Sequence, residues 1–174
     1  RLIDIAEQAN KAPEAFAYDL ILEEDGYQGF IFPWQVPAEE AAATIERTIV
    51  HPRMMVASDG LFNVAHSHPR SQGCFARVLG EFVREKGLVS LKEAVYKMSG
   101  FPAERFRLGK RGRLVKDFAA EIAVFDPQTV AAQSTYKNPS QGPTGIPHVI
   151  VNGVPVIRDG LPTPARPGKV ISRS

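Results

Sequence analysis

Cysteine is nearly missing: Cys74 stands alone, so no internal disulfide can form and nothing calls for an oxidising compartment. Long apolar runs are missing too, and no stretch approaches the roughly 18 residues of a membrane span. Neither sign of charge dominates. The 21 basic and 19 acidic residues leave +2, spread along the chain, too small and too even an excess to argue for nucleic acid or an anionic membrane. The opening stretch RLIDIAEQANKAPEAF carries acidic residues on an amphipathic pattern, unlike a secretory signal. A cytoplasmic globular protein is the expectation. An initiator methionine is also lacking and the chain starts inside an apparent helix, which fits either trimming or a start in mid-domain.

What is present suits a folded domain. Hydrophobic residues make up 44% of the 174 and charged ones 23%, and a chain of this size can bury about 70% of its unfolded surface. Leu2, Ile3, Ile5, Ala6 and Ala9 suggest a helix, and Pro13 suits the first turn of a second one that stops near Gly26. The run 27–34 (YQGFIFPW) reads as a short buried strand, 37–50 as a helix, and 53–58, within RMMVASDG, as another apolar strand. Helix, strand, helix, strand implies parallel pairing through crossover helices. Further helices are expected at 73–87, 90–98 and 102–107.

After Gly109 the texture changes to short β-branched stretches split by turn residues. Asn152-Gly153 is the strongest hairpin signal, and 131–147 reads as a loop. A boundary near 109 is therefore expected, α/β before it and all-β after it. A closed (β/α)8 barrel needs about 250 residues. The α/β part here is either the end of such a barrel or a small open sheet.

Several residues could carry chemistry. Asp59 follows an apolar strand, where α/β proteins build their sites, and Gly60 gives its turn freedom; Ser58-Asp59-Gly60 also fits a simple turn or cap. His66 and His68 have the i, i+2 spacing of a metal pair on a strand, but two ligands do not complete a site, and only His51 and His148 remain as histidine partners. Polar loop histidines are the plainer account. Arg70 offers a planar fork suited to a carboxylate. Cys74, ahead of Phe75, Val78, Leu79 and Phe82, reads as a small core packer. Trp34 suits the edge of a core, and the cluster Arg105, Arg107, Lys110, Arg111 and Arg113 a solvated face.

Taken in order, HPRMMVASDG, HPRSQGCFARVLGEFVREKGLVSLKEAVYKMSGFPAERFRL, RGRLVKDFAAEIAVFDPQTV, GIPHVIVNGVPVIRDG and RPGKVI resemble the C-terminal part of the N-acyl-D-amino-acid deacylases (D-aminoacylases) of the amidohydrolase superfamily. The resemblance implies an α/β fold: residues 1–109 as the C-terminal part of a (β/α)8 TIM-type barrel, with 27–34 and 53–58 its last two strands, and residues 110–174 as strands of a small β-sandwich. It further implies that Asp59 is the catalytic carboxylate and a candidate metal ligand, and that Arg70 grips the α-carboxylate of an N-acyl amino acid. The zinc would be held mainly by segments outside this chain, supplied by an N-terminal barrel segment or a partner chain. The family's HxH pair belongs to the first barrel strand, so the resemblance argues against His66 and His68 in that role. Glu121 stands where the family usually shows aspartate, and SQG replaces an aromatic before Gly73. Other readings are a cyclic-amide hydrolase of the dihydroorotase or hydantoinase kind, a non-catalytic partner subunit or remnant, and a nucleic-acid or metal-storage module resting on HSH.

Overall fold

The computed structural model describes residues 1–26, 36–61 and 67–171. They form two compact units, Arg1–Ala38 and Glu39–Ser174. The first unit holds α1 (Leu2–Gln8) and α2 (Pro13–Glu23), which pack on each other with Ala6 fully buried. Pro13 does open α2, in the first turn where its missing N–H goes unused. Asp25 and Gly26 close it. Both take positive φ, and their amides donate back to Leu22 and Ile21, which satisfies carbonyls at the helix end. The expected strand 27–34, with Trp34, lies outside the described residues.

The second unit holds α3 (Ala38–Ile49) from Glu39 onward and is otherwise built from helices up to Phe106 and a sheet after Glu121. Helix α4 (Arg70–Arg77) starts three residues earlier than its apolar pattern suggests, because Pro69 rather than Gly73 sets its first turn. It runs on in π-helical form over Val78–Glu85. Helix α5 (Leu91–Val95) is capped by Ser90, whose Oγ accepts the Glu93 amide at 3.2 Å. It widens into a π-helical stretch, Tyr96–Gly100, and leads into α6 (Phe101–Phe106), with Pro102 in the first turn. Ile49, Val56, Val78, Phe82, Val89 and Ala94 form the main core. Among the described residues no helix is long and apolar enough to cross a membrane.

The run 53–58 departs from expectation. It buries Val56 in this core but makes no ladder with another described segment. A strand needs a neighbour to bond to, and the expected neighbour, 27–34, is outside the described residues. Instead the Val56 amide donates to the Lys97 carbonyl at 3.1 Å, and Lys97 Nζ, only 2% exposed as a residue, donates to the His51 carbonyl at 2.5 Å. That clip at both ends fixes the run against the π-helical stretch.

The sheet is antiparallel throughout, in the order β1 (Ile122–Val124), β2 (His148–Val151), β3 (Val154–Arg158), β4 (Leu161–Pro162). Asn152-Gly153 forms the β2–β3 turn as its sequence suggests, with φ of 47° and 78° matching the two left-handed positions of a tight hairpin. The segment 131–147 is irregular apart from one bridge, Ala131 to Thr144. Sheet-side and helix-side residues share a second core cluster, where fully buried Val130 packs on Ala76 and Leu79.

Two glycines should respond differently to alanine. At Gly153 an added Cβ meets nothing closer than Ala120 Cβ at 4.0 Å, so Gly153→Ala should cost only the left-handed backbone, about 1 kcal/mol. At Gly145 it would stand 2.5 Å from the Val130 nitrogen, and Gly145→Ala should cost about 3 kcal/mol or more. Urea unfolding of the two variants measures the gap.

Candidate functional site

Ser58, Asp59 and Gly60 form a tight turn after the core-packed run. Ser58 Oγ accepts the Gly60 amide at 3.3 Å, and Asp59 takes a left-handed φ of 47°, a conformation that aspartate tolerates better than most residues. The turn and cap reading therefore holds for the main chain, and it leaves the carboxylate projecting. The Asp59 side chain is 76% exposed.

Helix α4 anchors this turn. Arg70, its first residue, places Nη2 2.7 Å from Asp59 Oδ2 and donates from Nε to the Asp59 carbonyl at 3.0 Å. One guanidinium thus holds the side chain of Asp59 as an ion pair and its backbone through the Nε–H. Ser71 adds a second tie: its Oγ accepts the Leu61 amide at 3.2 Å and donates to the Leu61 carbonyl at 3.3 Å. The eleven-residue spacing between Asp59 and Arg70 closes into direct contact.

His68 stands beside them. Its Nδ1 accepts the Arg70 amide at 3.1 Å, and its Nε2 lies 3.0 Å from the Tyr136 hydroxyl, with the two rings edge to face at 5.1 Å. Partial burial holds its pKa below the ordinary imidazole value, helped by the Arg70 cation and opposed by Asp59. His66 lies outside the described residues. His51 accepts the Arg53 amide in a turn, and His148 accepts the Asp159 amide in β2. Among the described residues no three of His, Cys, Asp or Glu stand close enough together to hold a metal ion.

A cavity of about 560 Å³ opens beside this group, with Met54, Val56, His68, Arg70, Cys74 and Tyr136 in its wall. Cys74 packs on the main core as expected and donates from Sγ to the Ala57 carbonyl at 3.4 Å. Burial pushes its thiol pKa up, against the pull of Arg77 and Arg70. In the basic cluster Arg111 pairs with Glu121 and Arg113 with Glu104.

Sequence reasoning missed Ser134 and Tyr136, which sat in an expected loop. The segment from Val130 to Tyr136 lies along the helix that begins at Arg70. A Cβ on Gly80 would meet the Val130 carbonyl at 2.8 Å, and one on Gly73 would collide with Ser134 Oγ. Ser134 Oγ donates to the Pro69 carbonyl at 2.8 Å, and Tyr136 reaches His68 beyond it. The signal was the small face Gly73, Ala76, Gly80, spaced to lie on one side of a helix.

The family model described as "Amidohydrolase family" matches residues 33–157. An N-acyl-D-glutamate deacylase of Alcaligenes xylosoxydans xylosoxydans is 45% identical over 129 residues, 74% of this chain and 26% of that protein. A solved D-aminoacylase, whose study concerns its binuclear metal centre, superposes with a TM-score of 0.80 at 34% identity, over 99% of this chain and 34% of its own. The N-acyl-D-glutamate deacylase of Bordetella bronchiseptica, solved with zinc and a phosphonate mimic of the tetrahedral intermediate, gives 0.73 at 37%, over 92% of this chain and 33% of its own. The chain spans about a quarter to a third of the length of these proteins.

The contact at Gly73 makes a prediction. Gly73→Ala should displace Ser134 and break its bond to Pro69, at about 1–3 kcal/mol. Adding Ser134→Ala should recover part of that loss, so a double-mutant cycle by chemical denaturation should be clearly non-additive.

Proposed function

The chain belongs to the amidohydrolase family, and on that premise we propose that it is the C-terminal portion of a zinc-dependent hydrolase that cleaves N-acyl-D-amino acids to a carboxylate and a D-amino acid. The observation that carries this reading is the contact of Asp59 with Arg70 beside a cavity, a proton-handling group next to a carboxylate-binding one. Residues 1–109 are proposed as the last part of a TIM-type barrel and 110–174 as the tail of its small β-sandwich. The likeness to solved D-aminoacylases over nearly the whole chain supports a shared fold.

Each residue then has a task. Asp59 accepts a proton from the attacking water and returns it to the leaving amine nitrogen. Its exposure leaves the carboxylate reachable from solvent and from whatever lies across the turn. Arg70 binds the free α-carboxylate of the substrate through N–H donors not engaged with Asp59, a charge-assisted contact that fixes which end of the amide faces the carboxylate.

Zinc, bound in the Bordetella bronchiseptica relative, would supply Lewis acidity at the scissile carbonyl. The described residues do not form a set that could hold it: they offer Asp59 as one carboxylate and no cluster of three donors. We therefore assign the remaining ligands to an N-terminal barrel segment or partner chain, with Asp59 as the candidate ligand here.

The full-length protein should hydrolyse N-acetyl-D-amino acids in preference to hydantoins, and turnover of the cyclic substrates alone would reject the deacylase reading. Asp59→Asn keeps the left-handed turn accessible and should lower kcat by at least about 10²-fold. Arg70→Ala should raise KM for acyl amino acids far more than for an N-acyl amine lacking the carboxylate. Steady-state kinetics on the paired substrates measures both.

A further inference from the structure

The α-carboxylate contact proposed above depends on where the arm of Arg70 starts. Arg70 opens α4, and the first amides of a helix find no partner within it. The residue before, Pro69, has no side-chain acceptor; its carbonyl takes the Gln72 and Gly73 amides and the His68 carbonyl takes the Ser71 amide, which leaves the Arg70 amide to be capped. His68 fills the gap through its Nδ1, 3.1 Å from the Arg70 nitrogen. A main-chain N–H can only donate, so Nδ1 carries no proton and the ring proton sits on Nε2. That N–H faces the Tyr136 hydroxyl at 3.0 Å, and the Tyr136 ring meets the imidazole edge to face. The imidazole is held at both ends, with the arginine backbone on one side and the 130–136 segment on the other.

We propose that His68 is a positioning residue for Arg70: oriented by Tyr136, it fixes the first amide of α4 and so sets the guanidinium against Asp59. This role goes beyond the functional reading and rests on it only for the identity of the ligand that Arg70 binds. An ordinary cap would stabilise the helix. This one also fixes the root of the side chain that spans from α4 to the Asp59 turn. Asparagine at position 68 would offer Oδ1 to the same amide, since asparagine accepts from the amide two residues on. Alanine would not.

The test uses the full-length protein with His68→Ala, His68→Asn and Tyr136→Phe, read by crystal structure and by KM and kcat on an N-acetyl-D-amino acid and on a neutral N-acyl amine. His68→Ala should raise KM for the acyl amino acid about tenfold, as loss of one hydrogen bond allows, with kcat within about threefold and the neutral amide unaffected. His68→Asn should return KM to within about threefold of wild type, and Tyr136→Phe should raise it by about threefold. The His68→Ala crystal structure should show Arg70 withdrawn from Asp59. An unchanged KM in His68→Ala or Tyr136→Phe, failure of asparagine to rescue, or Arg70 still paired with Asp59 in His68→Ala would overturn the proposal. If the wild type hydrolyses none of these substrates, the functional reading falls by itself, and the position of Arg70 in the His68→Ala structure still decides this proposal. If His68→Ala does not fold, Tyr136→Phe, which keeps the imidazole in place, supplies the deciding KM and structure.

Discussion

The arrangement around Asp59 depends on how closely the 130–136 segment can approach the helix that starts at Arg70. Glycine at 73 and 80 removes the two side chains that would otherwise keep them apart, and alanine at 76 leaves room for Val130 between. Arg84 holds the far end, donating from Nη1 to the Val130 carbonyl at 2.6 Å and the Pro127 carbonyl at 3.3 Å. Ser134 holds the near end at the Pro69 carbonyl. Two residues past that tie, the Tyr136 hydroxyl meets His68. Packing, hydrogen bonding and the polar contacts of His68 follow from one close approach.

That dependence explains which features could be read from the residues. Local signals transferred well: Pro13 and Pro102 in first helical turns, Ser90 as a cap, and Asn152-Gly153 as a two-residue turn each need only neighbours in the chain. Asp59 and Arg70 could be singled out one at a time, from residue type and from resemblance, but their direct contact could not be read, since spacing carries no direction for a side chain. The run 53–58 was legible as apolar and core-directed, and Val56 is buried as that requires. Its pairing was not legible, because hydrogen bonds along a strand are a property of two segments and not of one.

The 131–147 segment shows the opposite failure. Its Pro, Gly, Ser and Thr content signals irregular backbone, and the backbone is irregular. Composition does not reveal that such a segment can be tightly bound by contacts made by others. Gly145 of this segment lies against the backbone of the adjoining Val130, which is fully buried. Irregular form and loose attachment are separate properties, and only the first is written in residue type. Lys97 makes a similar point: an amine reads as surface, yet its four-carbon stem lets it lie in the interior with its head on the His51 carbonyl.

The left-handed main chain at Asp59 acts as a sieve on substitution that is independent of any reaction. Only glycine, asparagine and aspartate enter that region at low cost, so exchanges such as glutamate or valine meet a torsional penalty before their chemistry matters. Drift at this position is channelled by geometry toward a very short alphabet, of which one letter alone is an acid.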